Sequence, residues 1–154
     1  MPRYFISLAY DGSAYHGWQI QPNARSVQEE IQSALSKLHG NQAIEVVGCG
    51  RTDAGVHAQH YFLHTDLPRN WDLQQLVFKL NRMTAPDVAF KQAWEVPSEL
   101  HARFDANKRT YRYFIHQRKN PFVCAASWYV ESPLDIEQMN EAAIYLLGTQ
   151  DFSS

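Results

Sequence analysis

Two cysteines, Cys49 and Cys124, are all that 154 residues contain, and no C-x-x-C spacing joins them. That excludes a disulfide framework and fits a reducing compartment. No apolar run reaches the roughly 18 residues that a membrane helix needs. No signal-peptide pattern opens the chain, which passes at once into alternating residues. A soluble, cytoplasmic protein is the expectation. Internal repeats and low-complexity stretches are also missing, and so is an excess of one charge. The formal net charge of −2 argues against non-specific coating of nucleic acid, while leaving room for a local basic footprint.

Such a footprint is present. Between Ser98 and Lys119 lie Arg103, Lys108, Arg109, Arg112, Arg118 and Lys119 against only Glu99 and Asp105, a net +4, so the other 132 residues carry −6. A hydrophobic content of 45% is that of a globular chain. The length suits one domain, or a small domain plus an extension.

The periodicities run in a definite order. Tyr4, Ile6, Leu8 and Tyr10 alternate with Phe5, Ser7 and Ala9, which predicts a strand ended by Asp11-Gly12. Ser13 to Asn23 has no period and reads as a loop. Ser26 followed by Glu29 forms a capping-box pattern; Val27, Ile31, Ala34, Leu35 and Leu38 then mark a helical face that Gly40 stops. Strands are expected over Ala43–Val47 and His60–His64. Asp72 with Gln75 starts a second helix bearing Leu73, Leu76, Val77 and Leu80. A fourth strand follows, with Val88, Phe90, Gln92 and Trp94 on one face. This β-α-β-β-α-β order predicts an α+β fold, a ferredoxin-like (RRM-like) unit with an antiparallel sheet. Beyond it, Arg109–His116 reads as a strand whose Tyr111, Tyr113 and Ile115 share a face. Asp135 with Gln138 then caps a third helix carrying Ile136, Met139, Ala143, Leu146 and Leu147 and closed by Gly148. The expected division is 1–97 as the ferredoxin-like part and 98–154 as the basic start of a second lobe.

Between the second and third strands lies Gly50-Arg51-Thr52-Asp53-Ala54-Gly55-Val56-His57-Ala58. Glycines at its margins permit a tight loop and close approach of a ligand to the main chain. A cation near Asp53 favours its ionised, nucleophilic form, and Arg51 is the local candidate. By spacing alone, an Asx-type turn with a surface ion pair explains the same residues. His57, His60 and His64 with Asp53 lack the spacing of a zinc helix motif, so no metal is expected. Cys49 assisted by His57 could form a nucleophilic pair, but an inert thiol is the commoner occupant of a strand end.

The nine residues from Gly50 to Ala58 resemble the catalytic motif of the tRNA pseudouridine synthase A family. Tyr10-Asp11-Gly12 with Gly17-Trp18-Gln19-Ile20-Gln21-Pro22 resembles its opening signature, and Ser26-Val27-Gln28 its first helix start. Phe104 after Ala102-Arg103, then Lys108-Arg109-Thr110-Tyr111-Arg112-Tyr113, resembles its second active-site motif. Leu146-Leu147-Gly148 followed by Asp151-Phe152-Ser153-Ser154 is similar to a segment near the middle of family members. Those members run well beyond this chain.

The resemblance implies conversion of uridine to pseudouridine in the anticodon stem-loop of tRNA, by a homodimer without a cofactor. It implies Asp53 as the essential nucleophile or base, Arg51 beside it, Tyr111 against the target base, and a further basic partner in the C-terminal half of the family. Arg25, Arg103, Lys108, Arg109 and Arg112 are the expected phosphate contacts. Trp18 and Gln19 are expected to pack their loop first and touch RNA second. The rival is an RRM-like module that binds RNA without chemistry, which fits the same element order but leaves the Arg-Thr-Asp loop without a purpose.

Overall fold

The computed structural model describes residues 1–149, so the Asp151-to-Ser154 part of the family resemblance lies outside the described residues. Two compact units divide the chain, Met1–Arg109 and Thr110–Ser154. The first contains β1 (Arg3–Tyr10), α1 (Val27–Leu38), β2 (Val47–Gly48), β3 (Ala58–Asp66), α2 (Leu73–Met83) and β4 (Val88–Val96). Its strands form one antiparallel sheet in the order β2-β3-β1-β4. The α+β expectation holds.

Alternation in β1 sends Tyr4, Ile6, Leu8 and Tyr10 into the core, where Leu63 and Tyr61 of β3 join them. Helix α1 begins as its capping residues dictate: the Ser26 hydroxyl accepts the Glu29 N–H at 3.2 Å, filling one of the donors a helix start leaves open. Val27, Ile31, Ala34 and Leu35 are buried, and Gly40 at φ +68 follows the last turn. Asp72 caps α2 likewise, accepting from Gln75 N at 2.8 Å, and Leu76 and Leu80 reach the core. Each buried Val, Ile or Leu side chain contributes about 1.5–3 kcal/mol by burial.

Three expectations for this unit are corrected. The strand foreseen over Ala43–Val47 shrinks to Val47–Gly48, because side chains rather than a ladder hold its backbone. Gln28 Nε2 donates to Val46 O at 2.8 Å, Val46 N donates to Gln32 Oε1 at 3.2 Å, and Thr65 Oγ1 donates to Glu45 O at 2.7 Å. The third strand is longer than His60–His64 and runs Ala58–Asp66. In β4 the face changes midway: Leu8 pairs with Phe90 but Ser7 pairs with Gln92, leaving Lys91 as an extra bulge residue. A one-residue slip flips the pleat, so Ala93 is buried with Val88 and Phe90, while Gln92 and Trp94 leave that face.

The second unit holds a two-stranded parallel pair, β5 (Ile115–His116) with β6 (Trp128–Tyr129), and α3 (Ile136–Ile144). The strand expected over Arg109–His116 is reduced to its last two residues. A strand needs a neighbour for its backbone groups, and among the described residues β6 begins to supply one only at Phe114, whose carbonyl accepts Trp128 N at 2.8 Å. Asp135 caps α3 by accepting from Gln138 N at 2.9 Å. The helix ends at Ile144 rather than at Gly148, and Ile136, Met139, Leu146 and Leu147 are all exposed.

Candidate active site

The loop between β2 and β3 is held at nearly every second residue. Beneath it, Trp18 and Tyr61 pack with ring centroids 4.2 Å apart, and Tyr10 meets Tyr61 edge-on at 5.5 Å. Gly48 makes this possible: a Cβ there would lie 2.1 Å from Tyr61 Oη and 2.5 Å from Trp18 Cε2. The Tyr61 hydroxyl donates to the Gly50 carbonyl, and Tyr10 Oη and Thr52 Oγ1 hydrogen-bond at 3.0 Å. Trp18 N donates to Thr52 O at 3.1 Å and Gly55 N to Tyr15 O at 3.2 Å. Gly17, at φ +91, lets the 15–18 turn approach; any side chain there would meet Thr52 O at 2.3 Å.

At the far end of the loop, His57 Nδ1 lies 3.2 Å from Gly12 N and 3.0 Å from Asp11 Oδ1. One ring nitrogen cannot accept from the first and donate to the second at once, so the two contacts alternate with the presence of a proton on Nδ1, which the choice of ring tautomer alone can set. Hydrogen bonds from the Ser13 side chain and backbone, with His57 adding to them, hold the Asp11 carboxyl below the usual carboxylate range.

Asp53 and Arg51 are both exposed on this framework. Asp53 O accepts Val56 N at 3.2 Å, closing the turn behind the carboxylate. Among the described residues no hydrogen bond or ion pair joins Arg51 to Asp53. Both heads face solvent, and what the pinned backbone fixes is the direction from which a carboxylate meets an incoming molecule.

The remaining sequence-predicted residues fall into three places. Arg103 and Arg109 come together at the start of the loop: Arg109 Nε and Nη2 donate to Cys49 O at 3.1 and 2.7 Å, and Nη2 donates to Arg103 O at 2.9 Å. Lys108, immediately before Arg109, is exposed. Arg25 stands on the other flank, donating to Glu30 Oε2 at 3.1 Å and to Tyr15 Oη at 3.3 Å, with its guanidinium 4.6 Å from the Tyr15 ring centroid. Burial, then the Asp87 carboxylate that accepts from Tyr15 Oη at 2.6 Å, pushes the Tyr15 hydroxyl above its usual value. Tyr111 and Arg112 belong to the second unit, where both are exposed.

Trp18 packs as expected. Tyr10, Tyr61 and His57 had offered no separate signal as loop supports; only their closeness in sequence to strand ends could have suggested it. Among the described residues, no group of three or more His, Cys, Asp or Glu side chains could hold a metal ion.

The fold and site thus define an α+β protein that presents one carboxylate and an arginine on a rigid polar loop, flanked by cations. Residues 6–105 match the family described as tRNA pseudouridine synthase, and the chain belongs to that family. It is 48% identical over 154 residues to a tRNA pseudouridine synthase A of Bacteroides thetaiotaomicron, covering all of this chain and 57% of the relative. With the protein of the same description from Bacteroides fragilis it is 46% identical over 153 residues, 99% of this chain and 60% of that one. The match to the one from Porphyromonas gingivalis is 44% over 156 residues, covering 62% of that relative. The chain therefore spans about three fifths of the curated relatives it matches.

Proposed function

We propose that this chain carries the uridine-isomerising carboxylate of a tRNA pseudouridine synthase, with Asp53 as nucleophile or base. The observation that carries the reading is the loop itself: an exposed aspartate on a backbone pinned from Tyr10, Tyr15, Trp18 and Tyr61, in a chain of this family. Preorganised groups spend no reorganisation energy at the moment of reaction. In the reaction the N1–C1′ bond breaks, the base turns, C5 bonds to C1′ and loses its proton, and N1 ends protonated. Atoms and electrons balance within the uridine, so no oxidant or reductant enters.

Arg51 supplies positive charge beside the reacting carboxylate. Tyr111 faces the extruded base, as aromatic rings do where a nucleotide leaves its stack. Arg25, Arg103, Lys108 and Arg112 hold phosphates, and the fork of Arg109 adds charge to the same segment. Residues 1–97 form the ferredoxin-like part, which the sheet order β2-β3-β1-β4 with its two helices supports, and the basic part 98–154 leads on from it, along the first unit as far as Arg109 and then into the start of a second lobe. The complete protein is a cytoplasmic homodimer acting on the anticodon stem-loop without a cofactor, as the family resemblance implies.

The test is tritium release from tRNA labelled at uridine C5, comparing a family-length chain with its Asp53→Asn variant. Release by the first and none by the second, at nearly equal tRNA affinity, supports the assignment. Substantial turnover by Asp53→Asn removes Asp53 from its role. Tight tRNA binding without any release favours the RRM-like binding module.

A further inference from the structure

Residues 97–109 leave the end of β4 and cross the face of the sheet that points away from the core. They are tied down strand by strand. Arg3 on β1 donates to Ser98 O and, at 3.0 Å, to Leu100 O. His64 on β3 pairs with Phe5, which puts it opposite the core-facing Leu63 and Thr65. Its Nδ1 accepts Ala102 N at 3.1 Å, and the His101 ring meets it at 4.6 Å. Arg109 then reaches the carbonyl of Cys49, one residue past β2. The crossing follows the order β4, β1, β3, β2, so this segment is a strap and Arg109 is its buckle.

The buckle closes on the loop that carries Asp53. Two guanidinium nitrogens converge on one carbonyl, and one of them also ties Arg103 O into the same turn. Cys49 O and Gly50 O, the carbonyls of the two residues before Arg51, are thereby both held, one by Arg109 and the other by Tyr61. A guanidinium presents its donors in a fixed planar fork that the compact, rotating head of an ammonium does not reproduce.

We propose that Arg109 is a positioning residue: it fixes the start of the Asp53 loop and does not serve chiefly as a phosphate contact. The proposal rests on the reading of Asp53 given above for its effect on rate, but its structural half does not. A phosphate contact depends on charge and is kept by lysine; a forked hold on a carbonyl depends on shape and is lost.

The experiment has two arms. Amide hydrogen exchange on this chain, with Arg109→Lys and Arg109→Ala, reads the loop directly, the amides of β1 serving as an internal control for global stability. Exchange at residues 50–56 is expected to rise at least about tenfold in both variants with β1 unchanged, as for a locally opening segment. In the family-length chain, Arg109→Lys is expected to lower kcat by about tenfold or more, with KM and the salt dependence of tRNA binding nearly unchanged. Unaltered loop exchange in both variants overturns the proposal. So does a lysine variant that is fully active beside an alanine variant whose only defect is weaker binding with a salt slope lower by about one. If the unsubstituted long chain releases no tritium, the functional reading fails, while the exchange arm still decides what Arg109 holds.

Discussion

Trp18 and Tyr61 pack with tilted rings, centroids 4.2 Å apart, under the loop, and each also reaches up into it, Trp18 through its backbone N–H to Thr52 O and Tyr61 through its hydroxyl to Gly50 O. One pair of rings therefore both fills the end of the core and sets the height of Asp53 above it. Trp18→Ala should cost about 3–5 kcal/mol, the usual range for removing a buried tryptophan. Tyr61→Phe keeps the ring and removes the hydroxyl, so it should cost only about 1 kcal/mol, with a larger fractional effect on turnover of the family-length enzyme. Urea unfolding beside tritium release separates the two. A Tyr61→Phe enzyme with full activity would show that the Gly50 bond is not needed to aim the loop.

Gly48 allows those rings to meet. A methyl at this position would lie 2.1 Å from Tyr61 Oη and 2.5 Å from the Trp18 indole, and neither ring can withdraw without opening the core. Gly48→Ala should destabilise by about 1–3 kcal/mol, as overpacking does. A midpoint of urea unfolding equal to that of the unsubstituted chain would contradict the packing described here.

Much of this arrangement was legible in the sequence. Ser26 with Glu29 and Asp72 with Gln75 mark the helix starts because capping is local chemistry, complete within four residues. The alternation of β1 is visible because one side of the strand meets the core. The Gly50-to-Ala58 stretch marks the loop. What remained hidden depends on partners distant in sequence. Nothing near Lys91 announces a bulge, which is set by register against β1. The Ala43–Val46 run looks like a strand until Gln28, Gln32 and Thr65 take its backbone groups. Arg109 reads as one more cation in a basic run, and only the path of residues 97–109 brings it to Cys49. The apolar positions of α3 follow helical spacing, but spacing does not say what would cover them.

Stability should fall in mild acid through His64. Burial, followed by Arg3 and then His101, lowers its pKa to about 4, from an ordinary value near 6.5. The folded state therefore binds fewer protons than the unfolded state between those values, and stability rises with pH across that window. It is complete above about 6.5 and is lost progressively as pH falls to about 4, by up to about 3 kcal/mol. Asp66, held below its ordinary range chiefly by its hydrogen bond from Arg3, adds a second loss at lower pH. Urea melts at pH 7, 5.5 and 4.5 should show the decline, and His64→Gln, which retains an acceptor for Ala102 N, should flatten it. An equally steep profile in His64→Gln would assign the decline to other groups.

On the role proposed above for Asp53, the chain alone should fold yet release tritium far more slowly than a family-length protein. It spans 57–62% of its first relatives; Tyr111 is 61% exposed, and the apolar side chains of α3 lie open. A carboxylate on a rigid loop supplies one of the groups the reaction needs, but an extruded base must also be enclosed, its water excluded and its charge met from several sides. Losing most of those contacts should lower the rate by well over tenfold, since each 1.4 kcal/mol of missing transition-state stabilisation removes a factor of ten. Single-turnover tritium release under saturating protein, for the 154-residue chain and the long chain side by side, measures the gap without interference from weak binding. A short-chain rate within about tenfold of the long one would mean that these residues already supply every group the reaction needs.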